Sequence, residues 1–217
     1  MLVGDLVGSF ARAVLALVYP PRCAACDAPS LHEQPFCGTC ASALVRLDAV
    51  DAVGGIAPWE YGGPLADALL RLKHGGRAEF GEPLGRAVAR ASSGALAAAR
   101  LDVVVPVPLH PGRLRARGYN QAALLALGVG QAARLPVDLG ALVRVRDTPP
   151  QRGLGPAARR RNVRRAFAAD GARVAGRRVL LVDDVLTTGA TAAACSEALE
   201  TAGARRVVVL TAARALP

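Results

Sequence analysis

The sequence predicts an α/β fold, in which helices flank a parallel sheet, preceded by a small cysteine-rich module. Short aliphatic runs rich in β-branched residues, such as the one from Val179 to Val182, are typical of parallel strands buried on both faces. Helical patterns stand between these runs, and two Cys-x-x-Cys pairs lie near the start of the chain. The 217 residues suffice for one full-sized core and a small appendage.

Residues 1–19 are predicted to form one amphipathic helix, which Pro20 and Pro21 end. The apolar stripe of this helix consists of Leu2, Val3, Leu6, Val7, Phe10, Val14 and Leu15. Asp5 and Arg12 interrupt the apolar pattern, and its start is not basic. We therefore expect neither a signal peptide nor a stable membrane insertion, and we expect the protein to work in the cytoplasm.

Residues 20–47 are predicted to form a module around Cys23, Cys26, Cys37 and Cys40, two Cys-x-x-Cys pairs separated by ten residues. Disulfides are rare in the cytoplasm, whereas four thiolates complete a tetrahedral Zn²⁺ site with no open position, so the expected zinc is structural. The module is too short to hold a core of its own, so the metal would supply its fold. A redox Cys-x-x-Cys is the competing interpretation, and the duplication of the pair argues against it.

Residues 48–217 are expected to form the α/β domain. Strands are predicted at residues 56–61, 102–105, 139–145, 179–182 and 206–210. Helices are predicted at residues 41–47, 64–73, 79–99, 118–133, 157–167 and from residue 192 onward, with the middle of the third weakened by Ser92, Ser93 and Gly94. Lys73 is interpreted as a helix-end cation favourable to the helix dipole rather than as a ligand contact, and Cys195 as a small buried hydrophobe.

The strongest functional signal follows the strand predicted at residues 179–182. Two carboxylates, Asp183 and Asp184, stand where the strand is expected to end, and Thr-Thr-Gly-Ala-Thr at residues 187–191 opens a helix. Such a loop suits a phosphate, because backbone N–H groups, hydroxyls and a close approach at Gly189 all favour an anion. The carboxylates would accept hydrogen bonds from sugar hydroxyls or hold Mg²⁺ through water, so a ribose phosphate satisfies both halves. The alternative is a helix cap followed by a turn.

A second group of residues is expected at the same edge of the sheet. The prolines after the strand at residues 102–105 would fix a stiff turn there, and Arg113, Arg115 and Arg117 add positive charge. Between Arg113 and Arg165 the chain has twelve arginines and two acids, and the remainder has fifteen bases and fifteen acids. The whole net charge of +10 therefore lies in one segment, which favours a polyanionic partner. A solvated helix face exaggerated by compositional bias is the alternative.

With these residues in view, the chain resembles the competence-protein ComF family (ComFC and GntX-like proteins). The match rests on the double Cys-x-x-Cys, on Pro106-Val-Pro-Leu-His with Arg113 and Arg117-Gly-Tyr-Asn-Gln121, on Arg146-x-Thr148 with Gln151, Leu154, Arg159 and Asn162, and on residues 179–191. The last stretch resembles the 5-phosphoribosyl 1-pyrophosphate (PRPP) motif of type I phosphoribosyltransferases. The resemblance implies a type I phosphoribosyltransferase-like parallel sheet with an N-terminal zinc module. It also implies a role in natural transformation, handling single-stranded DNA that enters the cytoplasm.

The resemblance also assigns roles to single residues. The catalytic set would be Asp183 and Asp184, which hold the ribose hydroxyls, and Arg113 and Arg117, which with Mg²⁺ stabilise the departing pyrophosphate beside Val107. The 5′-phosphate would be bound by Val185, Leu186, Thr187, Thr188, Gly189, Ala190 and Thr191. A flexible loop carrying Thr148, Gln151, Arg159 and Asn162 would close over the site. DNA contacts would come from Arg160, Arg161, Arg164 and Arg165.

Two functions from different classes remain open at this point. One is a PRPP-binding protein that handles DNA, with partners such as a competence helicase or translocase. The other is a phosphoribosyltransferase of nucleotide or metabolite salvage without a DNA role. Its acceptor is unidentified, because no base-binding hood is recognisable and the zinc module occupies the place where many relatives build one.

Overall fold

The computed structural model describes residues 21–30, 34–47, 55–147 and 165–216. The predicted N-terminal helix at residues 1–19 therefore lies outside the described residues. The same holds for the predicted loop residues Thr148, Gln151, Arg159 and Asn162 and for the predicted DNA contacts Arg160, Arg161 and Arg164.

Within these residues the chain alternates between strands and helices. The strands are β1 (Gly55–Ile56), β2 (Trp59–Glu60), β3 (Val103–Pro106), β4 (Leu142–Arg144), β5 (Phe167–Ala169), β6 (Arg178–Leu186) and β7 (Arg206–Arg214). The helices are α1 (Gly38–Ser42), α2 (Gly63–His74), α3 (Gly81–Ala91), α4 (Ser93–Ala99), α5 (Pro111–Arg117), α6 (Gln121–Ala133), α7 (Gly171–Val174) and α8 (Ala190–Thr201), with a 3₁₀ turn at Ala78–Phe80. No helix of the described part has the length and hydrophobicity needed to cross a membrane.

Five strands form one parallel sheet in the order β1-β7-β6-β3, and β2 also pairs with β7. This confirms the predicted α/β class and the strands predicted at residues 102–105, 179–182 and 206–210, whereas the strand predicted at residues 56–61 is divided into β1 and β2. Strands β6 and β7 are longer than predicted, because Asp183 and Val185 still pair with Thr211 and Ala213 after the apolar run has ended. The two acids of the motif therefore lie inside β6 and not behind it.

The sheet is buried on both faces, and alternate residues of each strand point to opposite cores. Val104, Leu180 and Leu210 belong to the core that α2, α3 and α6 cover. Val105 and Leu181 belong to the core on the α8 side. Both faces need apolar side chains, which explains why the strands appear in the sequence as continuous aliphatic runs.

Some predictions need correction. The strand predicted at residues 139–145 exists as β4, but it pairs antiparallel with β5 in a separate two-stranded sheet. The described end of the helix predicted at residues 157–167 is wrong, because Phe167 begins β5. Phe167 is buried while Ala168 points outward, and the Arg144 guanidinium lies 5.5 Å from the Phe167 ring centre.

Helix boundaries also differ from the prediction. The helix predicted at residues 79–99 is divided at Ser92, where the expected weak point lies, into α3 and α4. The helix predicted at residues 41–47 ends at Ser42, because Val45 and Leu47 instead hydrogen-bond to the backbone around β2. Helix α5 was not predicted; it begins after His110, whose Nδ1 accepts a hydrogen bond from the Gly112 N–H at 3.3 Å.

Candidate functional site

The carboxyl ends of β3 and β6 meet at one edge of the sheet, and the candidate site is built there. Pro106 pairs with Val182, and the Val107 N–H donates a hydrogen bond to the Val182 carbonyl at 2.9 Å. Asp183 is the next residue along β6. The proline-rich turn and the acidic motif, 75 residues apart between Val107 and Val182, are therefore neighbours, which the parallel topology requires.

The loop between β6 and α8 forms one half of the site. Gly189 precedes α8 with φ of 71°, a left-handed conformation that favours glycine. Thr187 and Thr188 are exposed, and the loop encloses a small cavity whose wall includes Asp183 and Thr211. The backbone N–H groups at the start of the twelve-residue helix α8 would stabilise an anion bound there, as the sequence predicts.

The two carboxylates differ in their surroundings. Asp184 is 5% exposed, and its backbone N–H donates a hydrogen bond to Oδ1 of Asp183 at 2.9 Å. Burial and the neighbouring Asp184 raise the pKa of Asp183 well above its ordinary value. Lys73 offsets part of this repulsion, and a ligand that brings hydroxyl donors or a further cation would offset more of it.

Lys73 reaches this pair from the last turn of α2 and forms an ion pair with Oδ2 of Asp184. Its side chain is 27% exposed. Burial alone would lower the pKa of Lys73, but Asp184 and Asp183 raise it above its ordinary value. The sequence placed Lys73 correctly at a helix end and missed its partner. The one available signal was its status as the sole lysine of the chain.

A second half of the site is a cationic cleft of about 390 Å³ on the other side of Lys73. The residues that line this cleft are Lys73, His74, Gly76, Arg113, Ala116, Arg117 and Tyr119. Arg113 and Arg117 come from α5, and the Tyr119 hydroxyl donates to the Leu72 carbonyl at 2.6 Å, which fastens α2 beside them. The cleft therefore joins Lys73 to the two arginines that the family resemblance assigns to a pyrophosphate.

Two further contacts hold this cleft against the sheet edge. Asn120 caps α6, accepting from the Ala122 N–H at 3.0 Å, and its side-chain N–H donates to the Val107 carbonyl at 3.0 Å. Asp147 lies 3.9 Å from Nε of Arg113. The start of α5 is thus tied to the last residue described before the predicted flexible loop.

The four cysteines of the N-terminal module come together as the sequence predicts. Their sulfur atoms lie within 4.8 Å of one another, and Cys26 and Cys37 Sγ are 3.7 Å apart. Tetrahedral zinc with bonds of about 2.3 Å requires sulfur atoms roughly 3.8 Å apart, so the donor set fits this metal. Although burial opposes it, N–H groups of the turns lower the pKa of Cys23 to about 6, whereas burial and the other three cysteines raise the pKa of Cys40 well above its ordinary value. Without a metal the cluster therefore favours a thiolate at Cys23 and a thiol at Cys40.

Arg165 is the one predicted DNA contact among the described residues. It is exposed and lines a groove with Phe167 of β5 and Ala194 and Glu197 of α8, and this groove shares no lining residue with the cleft. Asp183 to Thr191, Val107, Arg113 and Arg117 are thus brought to one sheet edge, and Arg165 lines a separate groove.

Comparison with known proteins gives matches over both parts of the chain. Residues 14–50 match the Double zinc ribbon domain family, and residues 125–216 match the Phosphoribosyl transferase domain family. Over 200 residues the chain is 32% identical to the DNA utilization protein YhgH of Escherichia coli (strain K12), with 89% of this chain and 84% of the relative covered. It is also 32% identical over 200 residues to competence protein F of Haemophilus influenzae, with 90% of this chain and 85% of the relative covered. An adenine phosphoribosyltransferase of Mycobacteroides abscessus is 38% identical over 125 residues, with 54% of this chain and 56% of the relative covered.

Proposed function

Because the chain belongs to the family of DNA utilization protein YhgH and competence protein F, we propose that it binds PRPP with Mg²⁺ and handles incoming single-stranded DNA during natural transformation. It carries a phosphoribosyl transferase domain behind a four-cysteine cluster of the zinc-ribbon type. The proposed place of action is the cytoplasm, on strands that have entered the cell.

One observation carries the PRPP proposal: an acidic pair lies between two sites that suit anions. Asp183 and Asp184 are flanked by the loop at residues 187–189 on one side and by the cleft of Arg113 and Arg117 on the other. PRPP has the matching order of groups, with two ribose hydroxyls between a 5′-phosphate and a 1-pyrophosphate. Phosphate alone would not account for the carboxylates, which repel it.

Each group of residues has a defined task in this proposal. Hydroxyls and backbone N–H groups of Thr187, Thr188 and Gly189 bind the 5′-phosphate, and Asp183 and Asp184 accept from the ribose hydroxyls. The guanidinium groups of α5 bind the pyrophosphate oxygens. Asp183 and Asp184 are the residues that would hold Mg²⁺ through water, and the ion would supply positive charge that offsets the pyrophosphate.

Calorimetric titration of the purified protein with PRPP and Mg²⁺ tests the proposal. The double variant Asp183→Asn with Asp184→Asn is expected to lose PRPP binding, because the ribose hydroxyls lose their charged acceptors. The control is Glu82→Gln with Glu200→Gln, which removes two exposed carboxylates elsewhere and should bind as the wild type does. Unchanged affinity in the first variant would move the sugar site to another place.

The DNA half of the proposal is supported by the names of the relatives and by the surplus of arginine between Arg113 and Arg165. Few aromatic side chains lie near this segment, so binding should depend on phosphates rather than on stacking. Fluorescence anisotropy with a single-stranded oligonucleotide should show an affinity that falls steeply, by about tenfold or more, between 50 and 200 mM salt. An affinity that barely changes would contradict phosphate-led binding.

Charge-matched variants locate the DNA contacts. The first variant changes to glutamine the predicted contacts Arg160, Arg161, Arg164 and Arg165. The second changes to glutamine four exposed arginines at or near the amino edge of the sheet, Arg100, Arg177, Arg205 and Arg206. The first is expected to lose affinity and to show a weaker salt dependence, while the second should bind as the wild type does. Equal losses in both would indicate a diffuse charge effect.

The competing function is a phosphoribosyltransferase with an unidentified acceptor, which the similarity to an adenine phosphoribosyltransferase favours. An assay for released pyrophosphate separates the two. Binding of PRPP with little release supports the DNA-handling function. Release that rises when one nucleobase or metabolite is added would establish a transferase and identify its acceptor.

A further inference from the structure

Lys73 is a chemical exception in this chain. Lysine and arginine together number 27, and Lys73 is the only lysine. Its ammonium ion is a compact charge on a flexible four-carbon stem, whereas a guanidinium is planar and holds a carboxylate through two parallel hydrogen bonds. A position that can release its partner suits lysine better than arginine.

The Lys73 ammonium ion lies between a carboxylate of the protein and the cationic cleft. On one side it pairs with Asp184, whose side chain is 6% exposed. Among the described residues, Oδ2 of Asp184 has no hydrogen-bond donor besides this ammonium group. On the other side Lys73 lines the cleft that also contains Arg113 and Arg117. The lysine therefore stands between the proposed ribose and pyrophosphate positions.

We propose that Lys73 selects the ligand by exchanging partners: it pairs with Asp184 in the free protein and with the ligand's diphosphate in the complex. The inference rests on the proposed function, because it concerns the same site. It adds the residue by which the site would distinguish PRPP from a ribose phosphate that lacks the diphosphate.

The physical reason is that neither partner of the ion pair can be left alone. A ribose hydroxyl that replaces the ammonium at Asp184 leaves a largely buried positive charge without a partner, which is costly. A diphosphate supplies a new partner at the moment when the old one is lost. Ribose 5-phosphate has the hydroxyls and the 5′-phosphate but nothing for Lys73, so it should bind poorly.

Affinity measurements on two ligands test this selection. Lys73→Met is expected to weaken binding of PRPP with Mg²⁺ by about tenfold or more, as for loss of a charged hydrogen bond. Its affinity for ribose 5-phosphate should stay equal or rise. Arg71→Met is the matched control, because Arg71 lies on the same helix and faces Asp27 at 3.8 Å, so its selectivity should equal that of the wild type. Equal losses for both ligands in Lys73→Met would overturn the proposal.

A measurement on the unaltered protein avoids the possibility that Lys73→Met fails to fold. Growth on lysine labelled with ¹³C at Cε gives one protein signal, because the chain has one lysine. This signal is expected to shift when PRPP and Mg²⁺ saturate the protein, and to stay at its free position with ribose 5-phosphate at high concentration. Heat released on PRPP binding with an unmoved lysine signal would refute the exchange alone. Absence of any PRPP binding by the wild type would refute the proposed function itself.

Discussion

At the scale of single residues, two aspartates of the same sheet show opposite electrostatics. Asp102, before β3, accepts hydrogen bonds from the Arg178 backbone N–H at 2.8 Å and from its guanidinium at 2.6 and 3.0 Å. These bonds hold the pKa of Asp102 well below its ordinary value of 3.8. Burial and Asp184 move the pKa of Asp183 in the other direction. Asp102 therefore supports the fold at neutral pH, whereas Asp183 opposes it.

Asp183→Asn is expected to stabilise the ligand-free protein at neutral pH. Because the folded protein binds the Asp183 proton more tightly than the unfolded chain does, protonation of Asp183 stabilises the fold below about pH 4. This contribution to the free energy of unfolding is lost as pH rises through the folded-state pKa. The asparagine carries no charge and keeps an oxygen for the Asp184 N–H. The gain should be on the order of 1 kcal/mol, the usual size of the effect of a single substitution. Urea unfolding at several pH values, in buffer without added Mg²⁺ or PRPP, measures it.

Asp102→Asn is the control for this measurement, and its sign is opposite. The variant should be less stable than the wild type at neutral pH, and the difference should shrink as pH falls below the ordinary aspartate pKa of 3.8. If Asp183→Asn also destabilises the protein at neutral pH, the charge of Asp183 supports the fold and the prediction is wrong.

At the scale of elements, α3 and α6 approach each other so closely that glycines are required between them. A Cβ added at Gly128 of α6 would overlap with the Glu82 carbonyl oxygen, and one added at Gly85 of α3 would overlap with the Leu125 carbonyl oxygen. Backbone atoms cannot move aside as side chains can. This contact places α6, and with it the capping Asn120 that bonds to Val107, against the sheet edge.

Gly128→Ala should destabilise the protein by about 2 kcal/mol or more, because the two helices must separate. Gly94→Ala is the matched control, since Gly94 lies in α4 and a Cβ there meets nothing within 4 Å. The control should gain up to about 1 kcal/mol from the better helix former. Thermal and urea unfolding of both variants test the pair. A neutral Gly128→Ala would show that the helices are less tightly packed than in the structure.

Strands and helices whose residues follow a clear local pattern could be predicted from the sequence. The aliphatic runs of β3, β6 and β7 and the break at Ser92 follow from periodicity and helix propensity. The ends of β6 and β7 do not, because pairing with a neighbouring strand carries Asp183 and Thr211 past the apolar run. The two-stranded sheet of β4 and β5 was missed for the same reason, since a three-residue strand is fixed by its partner.

At the scale of the whole molecule, the sequence predicts which residues lie at the site better than it predicts the contacts between them. The motifs identified the residues at the edge of the sheet, and the rule for parallel strands brought Val107 and Asp183 together. The ion pair of Lys73 with Asp184 depends on how α2 packs on the sheet, which no local pattern encodes. The four-cysteine cluster was predictable because four cysteines at fixed spacing have few uses other than binding a metal.

The zinc module and the sheet are joined in one core. Cys23, Ala24 and Phe36 of the module belong to the same cluster of buried residues as Leu65 of α2 and Val104 of β3. Asp27, at a positive φ of 65° in the first turn, faces Arg77 at 3.1 Å and thereby ties the module to the end of α2 that carries Lys73. Loss of the metal should therefore affect the whole chain rather than the module alone.

Cys37→Ser is expected to lower zinc content and thermal stability together, because the remaining three ligands bind the metal weakly. The midpoint of thermal unfolding should fall by about 5 to 10 °C within a single transition. For a chain of this size, a loss of 1 kcal/mol in the free energy of unfolding lowers this midpoint by roughly 2–4 °C. Calorimetry combined with zinc analysis measures both quantities. Cys195→Ala is the control, because Cys195 lies outside the cluster and its loss should leave one zinc ion per chain. A separate early transition with an unchanged main midpoint would show that the module unfolds independently, and an equally stable metal-free wild type would refute structural zinc.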